Sequence, residues 1–438
     1  MLALQRLRII RMWVRKRIEI SLRDLAAGLG YCLSKSERQV AGQQVADLWQ
    51  ADDAVVCLSV RSGFDLFLQS VDWEAGSEII MSGLTIPDMP RIVEQSGYTP
   101  VGVDIHLDSM CPRLDEIERA INSKTKAIVV AHLLGGVCDL TRLLELAKQH
   151  NLIVIEDCAQ AFVGNHYQGD SRADLSMFSF GPIKTNTALA GGVFRVRNQS
   201  LRQAMLELQK DWNVQSRWTF AKRIAKYAFV KGISTRLMCG GFYRIMKLFG
   251  KNHDGVASTM ARGFAGPRFF ERIRQQPSVP LLKLLFRKLD KYDPKTTERR
   301  RDLGQHFNEL VGDSIYVLGS QMQRQTYWVL PLLVDEPDRL VQQLWDAGFD
   351  ASNACSLHSI VDDEDSTAAN ILRHIVFLPL HYSMPKREIE RLASVVKDAD
   401  PNIPMLVERE TGHGNQASST TALTKGRFES SLLTEGVG

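Results

Sequence analysis

Long hydrophobic runs are missing from the 438 residues: none reaches the eighteen or so that a spanning helix needs, so membrane contact is expected to be peripheral. A charge excess is nearly missing too. The 54 Lys and Arg exceed the 50 Asp and Glu by four, which does not imply nucleic acid unless the charge is concentrated locally. Cysteine is sparse and unpatterned: Cys32, Cys57, Cys111, Cys138, Cys158, Cys239 and Cys355 are an odd, scattered set with no CxxC pair. Neither a zinc site nor a disulfide framework follows. The opening MLALQRLRIIRMWVRKRIEISLRDL lacks the apolar core and cleavage site of a secretory signal, because Arg6, Arg8 and Arg11 interrupt it. These absences describe a cytoplasmic chain with reduced thiols. What is present is ordinary for a folded protein: 44% hydrophobic and 24% charged residues exclude a disordered or collagen-like chain. The length calls for two or three packed regions.

From 50 to 200, short apolar runs alternate with amphipathic stretches. Ala54–Val60, Glu78–Met81, Val101–Ile105, Lys126–His132 and Leu152–Glu156 read as strands. Between VGVDIH and TKAIVVAHLLG, Pro112 opens a helix whose Leu114, Ile117 and Ile121 share a face, which makes a βαβ unit. A second unit runs through DLTRLLELAKQHN into LIVIEDCAQA, so a largely parallel sheet covered by helices is the economical fold. VFRVRN reads as one further strand. Between Trp212 and His253 the composition changes: nine Lys or Arg, interleaved with aromatics, and no acid. Asp290–Val311 reads as one long helix, and Tyr327–Leu333 and Ile375–Leu380 as strands of a smaller C-terminal α+β domain. Residues 411–438, rich in Ser, Thr and Gly, read as a disordered tail. The organisation expected is a basic segment over 1–35, a large domain over 36–205, a basic aromatic insertion over 206–285, a small domain over 286–405 and a tail over 406–438.

Ligand-contacting groups in open parallel sheets gather beyond the C-terminal strand ends, which places Asp157, closing LIVIED, toward a ligand and turns Glu156 away. Lys184 follows in SMFSFGPIK, a short segment with no other charge, where desolvation lowers an amine's pKa. A neutral amine in such a place is a Schiff-base nucleophile, and a carboxylate at a neighbouring strand end suits a pyridinium nitrogen.

GSEIIMSGLT, GYTPVGVDIH, TKAIVVAHLLG, IVIEDCAQA, MFSFGPIKTNTALAGGV, ERRRDLGQHFNEL and VFLPLHYSMPKREIERL, in this order, resemble the DegT/DnrJ/EryC1/StrS sugar aminotransferases. The likeness runs from about Ala54 to Asn198 and resumes more faintly from Asp290 to Asp398. It implies aspartate aminotransferase fold type I, an α/β architecture with a mostly parallel seven-stranded sheet and a smaller C-terminal α+β domain. Pyridoxal 5′-phosphate (PLP) is the implied cofactor, with Lys184 holding it covalently and later shuttling a proton. The likeness further implies Asp157 at the ring nitrogen, Gln160 near the phenolic oxygen, Ser179 on the phosphate, and Arg61 and Ser62 of SVRSGFDLFL cradling that phosphate. Amino transfer from glutamate to a keto-sugar is the implied reaction, in a homodimer with active sites at the interface. Lysine rather than histidine at 184 favours transamination over dehydration. The alternative is a PLP-binding regulatory or membrane-associated protein without turnover. Two departures stand out. Ile86 occupies the place of the ring that stacks on PLP, and the Asn-Tyr-Arg triplet lent by a partner subunit has no counterpart near GPRFFERIRQQPS.

Several residues have plainer readings. His132 is at least as well explained as a satisfied core histidine, and Cys158 faces away along its strand. Asp362-Asp363-Glu364-Asp365 lacks a glycine-containing metal loop, and Gly28-Leu-Gly30 lacks the third glycine of a dinucleotide fingerprint, so neither a metal nor a Rossmann dehydrogenase is expected. The stretch RWTFAKRIAKYAFVKGISTRLMCGGFYRIMKLFGK, with Trp218, Phe220, Ile224, Tyr227 and Phe229 among its cations, has the composition of an interfacial helix on anionic lipid. A subunit interface, or a cover over a nucleotide-diphosphate substrate, uses the same residues.

Overall fold

The computed structural model describes residues 12–15, 17–49, 53–236, 238–240 and 268–399, with Asn402, Pro404 and Val407. Most of the expected tail, the start of the basic N-terminal segment, and the 241–253 part of the basic stretch lie outside the described residues. Seven strands form the main sheet: β1 (Ala54–Cys57), β2 (Glu78–Ser82), β4 (Thr99–Val103), β5 (Thr125–Ala131), β6 (Ile153–Asp157), β7 (Leu175–Ser179) and β8 (Gly192–Val196), while β3 (Leu84–Thr85) pairs outside it. Their order is β1-β8-β7-β6-β5-β2-β4, with β8 antiparallel to both neighbours and the other pairs parallel. This is the mostly parallel α/β sheet expected of fold type I, and each parallel pair requires a crossover, which the intervening helices supply.

Period-two alternation splits the sheet into two apolar layers. Ile155, Leu175 and Met177 join one core with Val129 and Phe194; Cys158, Phe178 and Phe180 join the other with Trp49 and Phe162. Asp157 and Ser179 continue the first set, so both project from the C-terminal strand ends on the same face. Glu156 and His132 belong to the second. The helix Val60–Ser70 reaches that end of the sheet because Gly192 lacks a side chain: a Cβ there would come within 2.8 Å of the Ser59 backbone carbon.

The expected helix over Asp290–Val311 is present as Pro294–Val311, and Asp290 closes the separate helix before it, Val279–Asp290. The Asp293 side chain accepts from the Lys295 N–H and Pro294 fixes the first turn, so these residues start a new helix instead of continuing the old one. Strand Leu330–Leu333 pairs antiparallel with Tyr316–Val317 and Ile375–Leu378 in a second, three-stranded sheet. Asp104, just beyond β4, accepts from the N–H groups of Thr367 and Ala368 at 2.7 and 2.9 Å, which ties the first turn of helix Thr367–His374 to the large sheet.

Helix Arg217–Ile233 corrects the reading of its aromatics as one lipid-facing set. Phe220, Ile224 and Tyr227 are buried in the core with Leu25, Leu281 and Leu285. Trp218 and Phe229 stand on the opposite, exposed side with Lys222 and Lys226.

Candidate active site

Lys184 sits on the loop leaving β7. Its N–H bonds the Gly181 carbonyl at 3.1 Å, the Ala188 N–H returns to the Phe180 carbonyl at 3.1 Å, and the Asn186 amide reaches the Lys288 carbonyl at 2.8 Å. Asn186 and Leu189 hold positive φ of 58° and 69°, a local strain that these contacts sustain. A Cβ at Gly181 would stand 3.7 Å from Ser179 Oγ and 3.8 Å from Lys184 Cγ, so the serine hydroxyl and the lysine stem border one cradle.

The electrostatics join these groups to Asp157 and Arg61. Burial pulls the Lys184 ammonium down to about 8, with Asp157 opposing and Arg61 reinforcing. Burial raises the Asp157 carboxyl above its usual range, against the Ala159 N–H at 3.0 Å and the charges of Lys184, His132 and Arg61. The Lys184 amine, the Asp157 carboxyl and the Arg61 guanidinium therefore act on one another electrostatically at the C-terminal edge of β6 and β7. Gln160 is oriented by its carbonyl: Oε1 accepts the Leu134 N–H at 2.8 Å, which leaves its NH2 as donors.

The helix start at SVRS is held by its own side chains. Ser59 caps the helix by accepting the Ser62 N–H at 3.2 Å, and the buried Ser62 hydroxyl lies 2.9 Å from that of Ser59. Arg61 Nε bonds the Asp88 carboxylate, and both side chains stay partly exposed. Ile86 is half-buried against the apolar core.

His132 and Glu156 lie on the other face of the sheet. His132 Nδ1 accepts the Cys138 N–H at 3.1 Å, so its proton sits on Nε2 and is donated to Glu156 at 3.0 Å. Tyr167 at 2.5 Å, Ser176 at 2.6 Å and the Asp170 N–H at 2.8 Å fill the remaining lone pairs of Glu156. Burial works against this carboxylate, yet these bonds outweigh it and hold the group below its usual range. Ligating atoms of His132, Glu156 and Cys158 lie within 4.8 Å of one another, but burial pushes the Cys158 thiol well up and protein donors already occupy Glu156. The cluster is a satisfied core network, in line with the plainer reading of His132.

Three contributors have no signal in local sequence. Trp328 brings its ring to 4.5 Å from Lys184 Nζ. Arg300, buried in helix Pro294–Val311, bonds Thr185 Oγ1 at 3.2 Å, the Thr326 carbonyl at 3.2 Å and Glu19 at 3.3 Å. Asp88 engages Arg61. All three come from segments distant in sequence from the loop they serve.

The chain is similar to several known proteins. Over 147 residues the chain is 37% identical to GDP-perosamine synthase of Escherichia coli O157:H7, covering 33% of this chain and 40% of that protein. Over 182 residues it is 34% identical to L-glutamine:2-deoxy-scyllo-inosose aminotransferase of Streptomyces kanamyceticus, covering 41% of this chain and 42% of that protein. The matched stretch thus spans about two-fifths of these curated relatives. In fold, the chain superposes on PseC of Helicobacter pylori, an aminotransferase involved in the biosynthesis of pseudoaminic acid, with a TM-score of 0.65 at 17% identity, covering 89% of this chain and 99% of that one. Residues 33–237 match the model of the DegT/DnrJ/EryC1/StrS aminotransferase family, a stretch that carries Arg61, Asp157, Gln160, Ser179 and Lys184.

Proposed function

We propose that the chain is a PLP-dependent aminotransferase that moves an amino group, with glutamate as donor, onto a keto-sugar. One observation carries the reading: the Lys184 amine, drawn toward neutrality by burial, shares a strand-end site with the Asp157 carboxylate and the Arg61 guanidinium. The residues fit the cofactor. Lys184 Nζ would attach it, Asp157 would face its ring nitrogen, the Gln160 NH2 is available to its phenolic oxygen, and Ser179, Arg61 and the helix start at Val60 offer donors to its phosphate. The Ser62 hydroxyl, at the same helix start, would add a further donor to that phosphate. Bound PLP supplies an electron sink at the carbon that loses its proton.

The chain's own steps follow from these positions. Displaced by the donor amine, Lys184 Nζ would be the free amine that takes the proton from the donor's amine-bearing carbon and returns it. Asp157 would hold the ring nitrogen protonated. The second half-reaction reverses the order on the ketone, so the kinetics are ping-pong. Purified protein is expected to show a visible cofactor band that excess glutamate bleaches. A band untouched by glutamate and by glutamine would favour the binding protein without turnover.

The chain acts in this reading as a cytoplasmic homodimer with peripheral contact to anionic membrane. Among the described residues no helix is long and apolar enough to cross a membrane. Support for surface contact comes from the outer side of helix Arg217–Ile233, where exposed Trp218 and Phe229 flank Lys222 and Lys226, and from exposed Leu22, Leu29 and Leu33 on the helix and turn packed beside it. Vesicles rich in anionic lipid are expected to sediment the protein at low salt, and Trp218→Ala with Phe229→Ala to reduce the bound fraction about tenfold or more. Equal binding by wild type and the double variant would remove this surface from the reading.

A further inference from the structure

Lys184 meets an aromatic face supplied by the small domain. Its Nζ stands 4.5 Å from the centroid of the Trp328 ring, and the indole N–H donates to the carbonyl of Ile183, the residue just before the lysine, at 3.2 Å. One bond therefore fixes the ring edge against the same loop whose amine the ring face receives. Such a face attracts an ammonium more than a neutral amine.

The segment bearing Trp328 is held in place from several directions. Thr326 donates both its N–H and its hydroxyl to the Gly135 carbonyl at 2.9 Å. Gly135 holds a φ of +98°, and a Cβ there would stand 2.7 Å from the Trp328 nitrogen, so only glycine admits this approach. Tyr327 has a φ of 46°, and its N–H is taken by Gln325 at 2.8 Å. Arg300 joins the Thr326 carbonyl to the Thr185 hydroxyl, spanning from the tryptophan's segment to the residue after Lys184. Gln160, one residue away from this contact through Leu134, belongs to the same frame.

We propose that Trp328 is a positioning residue for Lys184: its indole face, fixed by Ile183 and by the Arg300–Thr326–Gly135 frame, holds the side-chain amine in its protonated form at the site shared with Asp157 and Arg61. The proposal deepens the transaminase reading and rests on it for its purpose, because a lysine that gives and takes a proton needs a defined place in both states. Without the ring, the ammonium keeps Asp157 as its favourable partner and Arg61, itself shared with Asp88, as its unfavourable one. The neutral amine loses nothing.

The test reads the amine directly. The full chain, stripped of cofactor, is labelled competitively with acetic anhydride from about pH 6 to 10, and Lys184 is followed by peptide mass spectrometry with the exposed Lys222 as internal control. Half-labelling of wild type is expected near the value of about 8 that burial sets. Trp328→Leu keeps an apolar cover and removes the π face, so half-labelling is expected to fall by about 0.5–1 pH unit, a roughly three- to tenfold rise in neutral amine at a given pH. Trp328→Phe restores a ring and is expected to stay within about 0.3 unit of wild type. Trp328→Met replaces the leucine variant if that one does not fold. An unmoved Lys184 profile in Trp328→Leu or Trp328→Met, or an equal shift in Trp328→Phe, would overturn the proposal. Because no cofactor or substrate takes part, a chain that never transaminates can still pass, and a working transaminase can fail.

Discussion

Lys184→Ala is expected to abolish amino transfer by about a thousandfold or more, since in the proposed function the residue both attaches the cofactor and moves the proton. Borohydride reduction, which fixes cofactor to wild type as a stable adduct, should leave none on the variant. External amines are expected to restore a small part of the activity, with efficiency rising with their basicity, because the missing group is a proton carrier. A second effect runs the other way. In the cofactor-free protein the Lys184 ammonium titrates near 8, against about 10.4 in an unfolded chain. Between those values the unfolded state binds the extra proton, so wild-type stability rises as pH rises through the window, and at neutral pH the buried ammonium costs stability. Lys184→Met is therefore expected to melt above cofactor-free wild type at pH 7, by an amount worth about 2 kcal/mol, and the advantage should vanish near pH 10.5. A variant that retains wild-type turnover would remove Lys184 from the mechanism and the proposed function with it.

How much of the fold and site is legible in the sequence depends on where each interaction is encoded. Strand alternation is local, so the period of two by itself assigns Ile155 and Asp157 to one face, and Glu156 and Cys158 to the other. The βαβ order and the lysine's isolation from charge are equally local. The start of helix Pro294–Val311 is likewise local, encoded in Asp293-Pro294. Helix Arg217–Ile233 carries aromatics on two opposite sides, so periodicity does not say which stripe the core takes. Contacts between distant segments leave no such trace. Trp328 and Lys184 are far apart in the chain, and Arg300 reads as one more cation in ERRRD until the fold buries it against Thr185 and Thr326. Arg61 reads from sequence as a phosphate ligand at the helix start; its pairing with Asp88 depends on how the following helix packs.

Asp157→Asn isolates charge from shape. Asparagine can still accept the Ala159 N–H through its carbonyl, so the strand end and the sheet register are expected to persist. What disappears is the negative charge opposite the cofactor's ring nitrogen, and turnover is expected to fall by about a hundred- to ten-thousandfold while covalent attachment at Lys184 remains. Binding and stability should then separate. In the cofactor-free protein, burial raises the Asp157 carboxyl, so the unfolded state holds fewer protons than the folded state over the interval between the two pKa values, and wild-type stability falls as pH rises through it. The variant lacks that penalty and is expected to melt higher than cofactor-free wild type at neutral pH, with the gap closing below the ordinary aspartate pKa. Addition of PLP should reverse the ranking, because a cationic ring nitrogen turns a strained carboxylate into a paired one only where the charge exists. The thermal shift on adding cofactor is thus expected to be larger for wild type than for Asp157→Asn. Equal shifts in the two proteins, together with unchanged turnover, would mean that Asp157 does not face the ring nitrogen.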